Sequence, residues 1–271
     1  MTRQDRIPPL GLGTWGRAGQ GGRAAIGKAI EIGYRHLDTA QIYDTERQVG
    51  EAVRASGLPR GDFFVTTKAA DTGLDKASFL PGVEKSIAAI GIGPVDLLLI
   101  HWPSEKNRVP LEDYVLALAE ARRRGFARLI GVSNFPIALL RRTCDLLGKG
   151  AIITNQVELH PYLQAPKLAA YARAQGLALT AYLPLARGAV SRDPVLARIA
   201  QAHGATAAAV SLAFLMAEGH IVIPASGREE NLRANFSARD LRLSARDIAD
   251  IRALDRGERR VNPAKSPEWD D

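Results

Sequence analysis

The sequence predicts an α/β protein, and more narrowly a (β/α)8 TIM barrel that forms one domain over residues 1–271. Short apolar runs alternate eight times with longer amphipathic runs, and no linker-like stretch separates them. The short runs are almost continuously apolar, as in Leu97–Ile100 and Ile221–Ile223. Such runs are typical of a parallel sheet that is covered on both faces. The length also fits one barrel, since these barrels have about 250 residues.

The apolar runs place the strands and the amphipathic runs place the helices. Strands are predicted near 9–13, 34–40, 62–68, 95–102, 127–134, 152–159, 177–183 and 220–225. Helices are predicted near 21–32, 45–56, 75–90, 110–125, 136–147, 165–176, 206–218 and 244–255. Pro8 and Pro9 crowd the first strand, because proline cannot donate to a sheet ladder. The last helix shows the helical apolar spacing Ala245, Ile248, Ile251 and Leu254.

Composition narrows the class of protein. Apolar residues make up 46% of the chain, enough for a sizeable core, and the formal charge at pH 7 is +7. A solvated arginine-rich surface accounts for most of this charge, and an anionic ligand such as a dinucleotide or sugar acid is the other interpretation. No basic stripe carries interleaved aromatic residues, so no nucleic-acid partner is expected. The single cysteine, Cys144, excludes an intrachain disulfide, and its amphipathic run indicates core packing.

Location is inferred from what the sequence lacks. The run Met1–Pro9 has no apolar stretch long enough for a signal peptide. No run approaches the ~18 apolar residues of a membrane-spanning helix. We therefore expect a cytoplasmic protein without a membrane partner. A monomer with no obligate protein partner is the working hypothesis.

Unusual polar residues cluster at the predicted carboxyl ends of the strands, where barrels of this type perform chemistry. They lie in or just after the second to eighth strands: Asp38 and Tyr43, Lys68, His101, Ser133 and Asn134, Gln156 and Glu158, Tyr182, and Ser226. Because parallel strands of a barrel end on the same face, we expect these side chains to form one site.

The run Gly11–Gly16 matches the dinucleotide-binding pattern G-x-G-x-x-G, but a Rossmann interpretation needs a buried strand before it and a helix directly after it. Pro8 and Pro9 precede the run, and further glycines follow. Trp15 is also bulky for a turn that packs against a diphosphate. The match is therefore interpreted as coincidence, and these glycines as letting backbone approach a ligand at the mouth of the first strand.

An ordered set of segments resembles the aldo-keto reductase family over nearly the whole chain. These segments are 11–15, Gly33–Tyr43, Thr67–Lys68, Asp96–Pro103, Gly131–Phe135, Asn155–Tyr162, Ala181–Tyr182 and Ile223–Ser226. Runs 181–188 and 261–269 are similar to those of short bacterial members that reduce 2,5-diketo-D-gluconate and methylglyoxal. The resemblance implies NAD(P)H-dependent reduction of a small carbonyl substrate.

Four residues would carry the chemistry. Tyr43 is the expected general acid; a free phenol has a pKa of ~10, and a nearby ammonium would lower it. Lys68 is the expected ammonium, held by Asp38. At 4 Å and an effective dielectric of 20, two unit charges interact by about 4 kcal/mol, so one lysine could suffice. His101 would orient the substrate carbonyl. A Lys–Asp pair buried for stability and an ordinary core histidine are the alternatives.

The expected substrate-binding residues are Trp15, Tyr43, His101 and Trp102, which would give a small carbonyl substrate an apolar wall. The resemblance implies that a C-terminal tail, about 256–271, folds over the barrel mouth. Trp269 lies in that tail, and ordinary packing is an equal interpretation for it. His160 is interpreted as structural, and His36 is given no role.

The resemblance also implies the cofactor site. Ser133, Asn134 and Gln156 would bind the nicotinamide carboxamide, and Tyr182 would stack on its ring. Leu183 stands where many relatives have serine, and the loop from Leu185 to Gly188 could offer backbone amides to the diphosphate. The full expected set is Gly13, Thr14, Asp38, Ser133, Asn134, Gln156, Tyr182, Leu183, Leu185, Gly188, Ser226, Arg228, Asn231 and Asn235.

The choice between NADPH and NADH depends on residues after the eighth strand. Many relatives have a lysine where this chain has Ala225 and an arginine where it has Asn231. Ser226 and Arg228, with the amides of a helix starting near Arg228, can still bind a 2′-phosphate. Glu229 and Glu230 would oppose it if they face the ligand. NADPH is the expected cofactor, with NADH possible.

Two other functions remain open from the residues. A metal-dependent barrel hydrolase could use His36, Asp38, His101 and His160 as ligands, although His-x-Asp is a weak pair. No metal is expected. A non-catalytic protein that senses cofactor on the same fold is the other alternative, and the complete set of Asp38, Tyr43, Lys68 and His101 argues against it.

Overall fold

A computed structural model describes residues 7–271, which form a (β/α)8 barrel. The eight strands pair in chain order, and every pair is parallel. They are β1 (Leu12–Gly13), β2 (His36–Asp38), β3 (Phe64–Ala69), β4 (Val95–Ile100), β5 (Ala127–Ser133), β6 (Thr154–Glu158), β7 (Ala178–Tyr182) and β8 (Ile221–Val222). A parallel bridge between Leu10 and Val222 closes the barrel, and the amide of Gly11 donates to the Val222 carbonyl at 2.8 Å. The predicted fold class is confirmed.

Helices surround the sheet. They are α1 (Gly19–Ile32), α2 (Glu46–Ala55), α3 (Phe79–Ile90), α4 (Leu111–Arg123), α5 (Ile137–Leu147), α6 (Pro166–Gln175), α7 (Pro194–Ala202), α8 (Ala207–Ala217), α9 (Glu229–Ser237) and α10 (Ala245–Arg252). Within residues 7–271, no single helix is long and apolar enough to cross a membrane; α7 and α8, bent by 90°, reach that length and composition only together.

Helix α7 is the element that the apolar patterning missed. Its start does carry a local signal, because Asp193 accepts hydrogen bonds from the amides of Val195 and Leu196 and Pro194 occupies the first turn. An aspartate cap followed by proline is a common way to begin a helix. The remaining helices lie close to their predicted positions, and α9 begins directly after Arg228 as expected.

Strand alternation determines which side chains face the barrel interior. Phe64, Leu97, Leu99 and Leu129 form a small cluster of their own, whereas Val65, Leu98 and Ile100 belong to the larger cluster that the helices cover. Successive side chains of a strand point to opposite faces. Lys68 therefore shares the inward face of Phe64, and His101 shares that of Leu97 and Leu99. This parity brings both polar side chains to the mouth of the barrel.

Helix α2 packs closely on α3 through a glycine. A Cβ on Gly50 would lie 1.6 Å from the Ile90 carbonyl oxygen, so backbone would have to move.

Gly50→Ala should therefore destabilise the fold by ~2 kcal/mol, despite the better helix propensity of alanine. Gly27→Ala in α1 is the matched control, because nothing lies within 4 Å of its Cβ position. Urea unfolding should show the control equal to or more stable than the parent chain. Equal stability of the two variants would contradict this packing.

Candidate active site

A cavity of about 490 Å³ opens among the loops at the carboxyl ends of the strands. Asp38, Tyr43, His101 and Trp102 line it at the predicted substrate end, together with Trp15. Trp15 is 65% exposed, so this wall is open to solvent on one side. The structure thus brings together every side chain that was expected to contact the substrate.

Lys68 lies beneath the cavity and uses all three donors of its ammonium group. Its Nζ donates to a carboxylate oxygen of Asp38, to the Thr39 carbonyl at 2.9 Å and to the Tyr43 hydroxyl at 3.4 Å. The side chain is fully buried, and that of Asp38 almost so. Three fixed acceptors give the ammonium a single orientation, with one N–H directed at the phenol.

The Tyr43 hydroxyl also lies within reach of His101. Its oxygen is 3.3 Å from Nε2 of the imidazole, and the two rings meet edge to face. Nδ1 of His101 is buried without a hydrogen-bond partner among residues 7–271. Burial, reinforced by the charges of Lys68 and Lys265, holds the pKa of His101 well below 6.5, so the ring is neutral.

Burial also governs the phenol. It raises the pKa of Tyr43 well above 10, and the Asp38 carboxylate raises it further. Burial lowers the pKa of Lys68, which opposes the stabilising effect of Asp38 on the ammonium. The expected net lowering of the Tyr43 pKa is therefore not found, because desolvation of the phenolate dominates at this buried position. Tyr43 is fully protonated at neutral pH.

Three threonine hydroxyls close the loop that carries Tyr43. Thr39 and Thr45 flank this loop, and their Oγ1 atoms are 2.7 Å apart. Oγ1 of Thr45 is also 2.8 Å from Oγ1 of Thr14, and the Thr14 hydroxyl donates to the Asp38 main-chain carbonyl at 2.9 Å. All three residues are fully buried. Sequence reasoning missed Thr39 and Thr45; their placement on both sides of Tyr43 was the only available signal.

The predicted carboxamide ligands meet, but only one of them lines the cavity. Gln156 donates from Nε2 to Asp38 at 2.7 Å, and its main-chain carbonyl accepts from the Ser133 hydroxyl at 2.7 Å. Both are buried in the floor. Asn134 lines the cavity, donates to the His101 carbonyl at 3.0 Å and accepts from the Tyr182 hydroxyl at 2.8 Å. Ser133 and Gln156 therefore do not line the cavity. They contact Asn134 and Asp38, which do.

The far end of the cavity is built from backbone. Gly13 and Thr14 line one side, and the loop from Leu183 to Gly188 lines the other. Leu183, Ala186 and Arg187 have positive φ angles of 51°, 47° and 53°. Non-glycine residues in this region each cost about 1–3 kcal/mol and cluster at functional sites. The exposed side chain of Arg187 also lines the cavity, a contribution that the sequence interpretation did not include.

The predicted phosphate-binding residues lie beyond the cavity lining, after β8. The Ser226 hydroxyl accepts from the Arg228 amide at 3.2 Å, and the Arg228 side chain pairs with Glu230. Glu229 pairs with Arg233 at 2.7 Å. Asn231 is exposed and Asn235 is buried in α9. Both glutamates thus neutralise arginines of their own helix.

The tail that follows α10 is fixed by a buried carboxylate. Glu158 at the end of β6 accepts from His160 and, at 2.8 Å each, from the amides of Arg260 and Val261. Burial alone would raise the pKa of Glu158, but these donors hold it below its usual value. Val261 then lines the cavity. The predicted structural role of His160 agrees with this contact.

Three further contacts hold the tail across the rim of the barrel. Lys265 pairs with Asp71 at 2.8 Å, and the Trp269 ring lies edge to face on Trp102 at 6.3 Å. Asp270 accepts from the amides of Ile137 and Ala138 at the start of α5, at 2.6 and 2.9 Å. Trp269 packs behind Trp102 and is not part of the cavity lining.

The proposed metal ligands are not assembled. His36 contacts the Pro8 carbonyl and Thr66, while His160 contacts Glu158. Among residues 7–271, no group of three His, Cys, Asp or Glu side chains is placed to hold a metal ion. The hydrolase alternative therefore has no centre in this part of the chain.

Glu158→Gln should loosen the tail. The amide keeps one acceptor oxygen but replaces the other with a donor that faces a backbone N–H. Hydrogen bonds to charged groups contribute about 1.5–3 kcal/mol, so we expect a loss of ~2 kcal/mol and faster hydrogen exchange at the amides of Arg260 and Val261. Glu120→Gln is the control, because that carboxylate pairs with arginines on the surface of α4. Unchanged exchange at both amides would rule out Glu158 as the tail's anchor.

Comparison with known proteins identifies the family. The model of the aldo/keto reductase family matches residues 9–256. The chain is 44% identical over 265 residues to methylglyoxal reductase DkgB of Escherichia coli O157:H7, with 97% of this chain and 99% of that protein covered. It is 38% identical over 255 residues to an aldo-keto reductase of Mycolicibacterium smegmatis, with coverages of 93% and 91%.

Comparison with solved structures identifies the same family. A putative 2,5-diketo-D-gluconic acid reductase B superposes with a TM-score of 0.92 at 39% identity, covering 98% of this chain and 95% of that one. The aldose reductase of Schistosoma japonicum superposes with a TM-score of 0.90 at 31% identity, with coverages of 96% and 92%. The chain therefore belongs to the aldo-keto reductase family and is an NAD(P)H-dependent oxidoreductase that acts on carbonyl groups.

Proposed function

We propose that this enzyme reduces small aldehydes and ketones, methylglyoxal and 2,5-diketo-D-gluconate among them, with NADPH as hydride donor and Tyr43 as proton donor. The placement of the Tyr43 hydroxyl carries the proposal. It lies at the cavity between the Lys68 ammonium, at 3.4 Å, and Nε2 of His101, at 3.3 Å. A proton donor, a cation and a second hydrogen-bonding group thus converge on one point, where a carbonyl oxygen can be held.

The cavity fits a dinucleotide. Its floor offers the amide of Asn134 and the ring of Tyr182, which suit a carboxamide and an aromatic face. Its far end offers the backbone of Leu183, Leu185 and Gly188, as a diphosphate requires. Gly13 leaves room for close backbone approach. When bound, the nicotinamide would supply the hydride that the chain itself cannot.

The side chains would divide the remaining work. His101, neutral and adjacent to the phenol, would hold the carbonyl oxygen by a hydrogen bond. Tyr43 would transfer its proton to this oxygen as negative charge develops there. The Lys68 ammonium would stabilise the phenolate left behind, and Asp38 would hold Lys68 in its charged form against the cost of burial. A phenol with a raised pKa can still protonate an alkoxide, which is a stronger base.

The substrate proposal rests on the shape of the rim and on the relatives. Trp15 and Ile42 both line the cavity, and they are 65% and 54% exposed, so the site is shallow and open at this end. Relatives that cover almost the whole chain are named as reductases of methylglyoxal and of 2,5-diketo-D-gluconic acid. The proposal takes the chain to act as one domain, since the barrel closes and its tail returns to the rim.

Tyr43→Phe tests the proposal. Absorbance at 340 nm should fall when wild-type enzyme, NADPH and either dicarbonyl are mixed, and the variant should lose about 10²–10⁴-fold in kcat because general acid catalysis contributes that much. Tyr171→Phe, on the partly exposed face of α6, is the matched control and should keep full activity. NADH is assayed in parallel. No consumption with either cofactor across a panel of small carbonyls would refute the reductase and favour a non-catalytic cofactor-binding protein.

The pH profile of reduction tests the electrostatics. Tyr43 must be protonated to act, and its raised pKa keeps it so below pH 10. His101 stays neutral above about pH 6.5, the ordinary value for histidine, because its pKa is lowered. We therefore expect kcat/KM to be flat between pH 6.5 and about 9.5, measured with deuterated NADPH to show that hydride transfer limits the rate. A decline toward alkaline pH within this range would mean that either the phenol or the Lys68 ammonium, whose pKa burial lowers, gives up its proton there.

A further inference from the structure

The loop after β8 has few free cations where a phosphate would need them. Position 225 is alanine and position 231 is asparagine. Arg228 pairs with Glu230 at the start of α9, and Glu229 pairs with Arg233 and lies 3.9 Å from Lys28. The positive side chains that α9 contributes near this loop are thus matched by the helix's own carboxylates.

Arg17 differs from these paired cations because it has no carboxylate partner among the described residues. It belongs to the loop after β1, yet its guanidinium reaches the loop after β8 and lies against Gly227. Nη1, Cζ and Nε lie 3.5, 3.7 and 3.9 Å from the position that a Cβ on Gly227 would take. Within residues 7–271, the Arg17 guanidinium has no carboxylate partner, and its one hydrogen bond, from Nη1 to the Gly16 carbonyl, is long at 3.4 Å.

One donor of this guanidinium is left unsatisfied. Nε of Arg17 is shielded from solvent and has no hydrogen-bond partner among the described residues. Burying a donor of a charged group without a partner is unfavourable, so an acceptor from a ligand or from water is expected at this nitrogen. The chain therefore maintains an unpaired, partly desolvated cation at this place.

The same two loops line the cavity. Thr14 and Trp15 lie on the side of Arg17, and Pro224 and Ala225 lie on the side of Gly227. A ligand that extends out of the cavity between these loops must pass the guanidinium. Arginine matches a phosphate better than lysine does, because its planar fork donates two parallel hydrogen bonds to two oxygens.

We propose that Arg17 binds the 2′-phosphate of NADPH between the two loops and thereby sets the preference for NADPH over NADH. The inference rests on the proposed function and assigns its cofactor specificity to a residue outside α9 and its preceding loop. A Cβ on Gly227 would make ordinary van der Waals contact with this guanidinium, so an alanine there should leave Arg17 in place. Arg228 can add a second cation only when it leaves Glu230.

The test compares dissociation constants for NADPH and NADH, measured by quenching of tryptophan fluorescence, for wild type, Arg17→Ala and Arg23→Ala. Arg23 is the matched control, an exposed arginine on α1 that pairs with Glu51 at 3.4 Å. A charge-assisted hydrogen bond contributes about 1.5–3 kcal/mol, so Arg17→Ala should weaken NADPH binding about 10–100-fold. NADH binding should change less than about two-fold, which also shows that the variant is folded. Arg23→Ala should change neither.

Equal weakening of NADPH and NADH by Arg17→Ala, or no weakening of either, would overturn the inference. So would an equal loss in Arg23→Ala, since it would point to the general positive field. These outcomes are distinct from failure of the proposed function, in which the wild type binds neither cofactor or consumes neither with any carbonyl. If wild type binds and turns over normally while the NADPH preference survives in Arg17→Ala, only the role of Arg17 falls.

Discussion

The buried ion pair between Lys68 and Asp38 is the interaction on which the rest of the site depends. Moving two charges out of water costs several kcal/mol per ion, and the cost is recovered only when every remaining donor and acceptor is satisfied. Here the Thr39 carbonyl and the Tyr43 hydroxyl accept the other two hydrogen bonds of the ammonium, and Gln156 donates to the second carboxylate oxygen of Asp38. The pair therefore fixes the phenol above it and the amide below it in one arrangement.

A second buried carboxylate holds the other part of the molecule in place. Glu158 accepts hydrogen bonds from the amides of Arg260 and Val261 near the start of the tail. The tail then places Val261 in the cavity wall and Trp269 behind Trp102. Asp38 thus organises the residues around the Tyr43 hydroxyl, the proposed proton donor, and Glu158 organises the C-terminal tail. The Thr14–Thr45–Thr39 chain connects the loop of Tyr43 to the first strand, so the reactive hydroxyl is held from two directions.

Burial sets the protonation states in this site more strongly than pairwise attraction does. Considering only the contact between Lys68 and Tyr43 predicts a lowered phenol pKa. The structure places both groups away from water. Desolvation is then the main influence on both pKa values: it raises that of Tyr43 and lowers that of Lys68. The same argument keeps His101 neutral beside two lysines. A protonated phenol and a neutral imidazole can each donate a hydrogen bond, as the proposed mechanism asks of Tyr43 and His101.

The sequence by itself determined the barrel and the four central residues. Continuous apolar runs are local, and their period of two puts Lys68 on the face of Phe64 and His101 on that of Leu99, so their convergence could be predicted. Helix α7 was missed because its aspartate cap and proline were not considered together. Only the tertiary structure decided that Gln156 and Ser133 form the floor, that Glu158 anchors the tail, and that Arg17 lies on Gly227. Each of these contacts joins segments far apart in the chain, and their proximity in space follows from the closed barrel and the path of the tail, which no local pattern encodes.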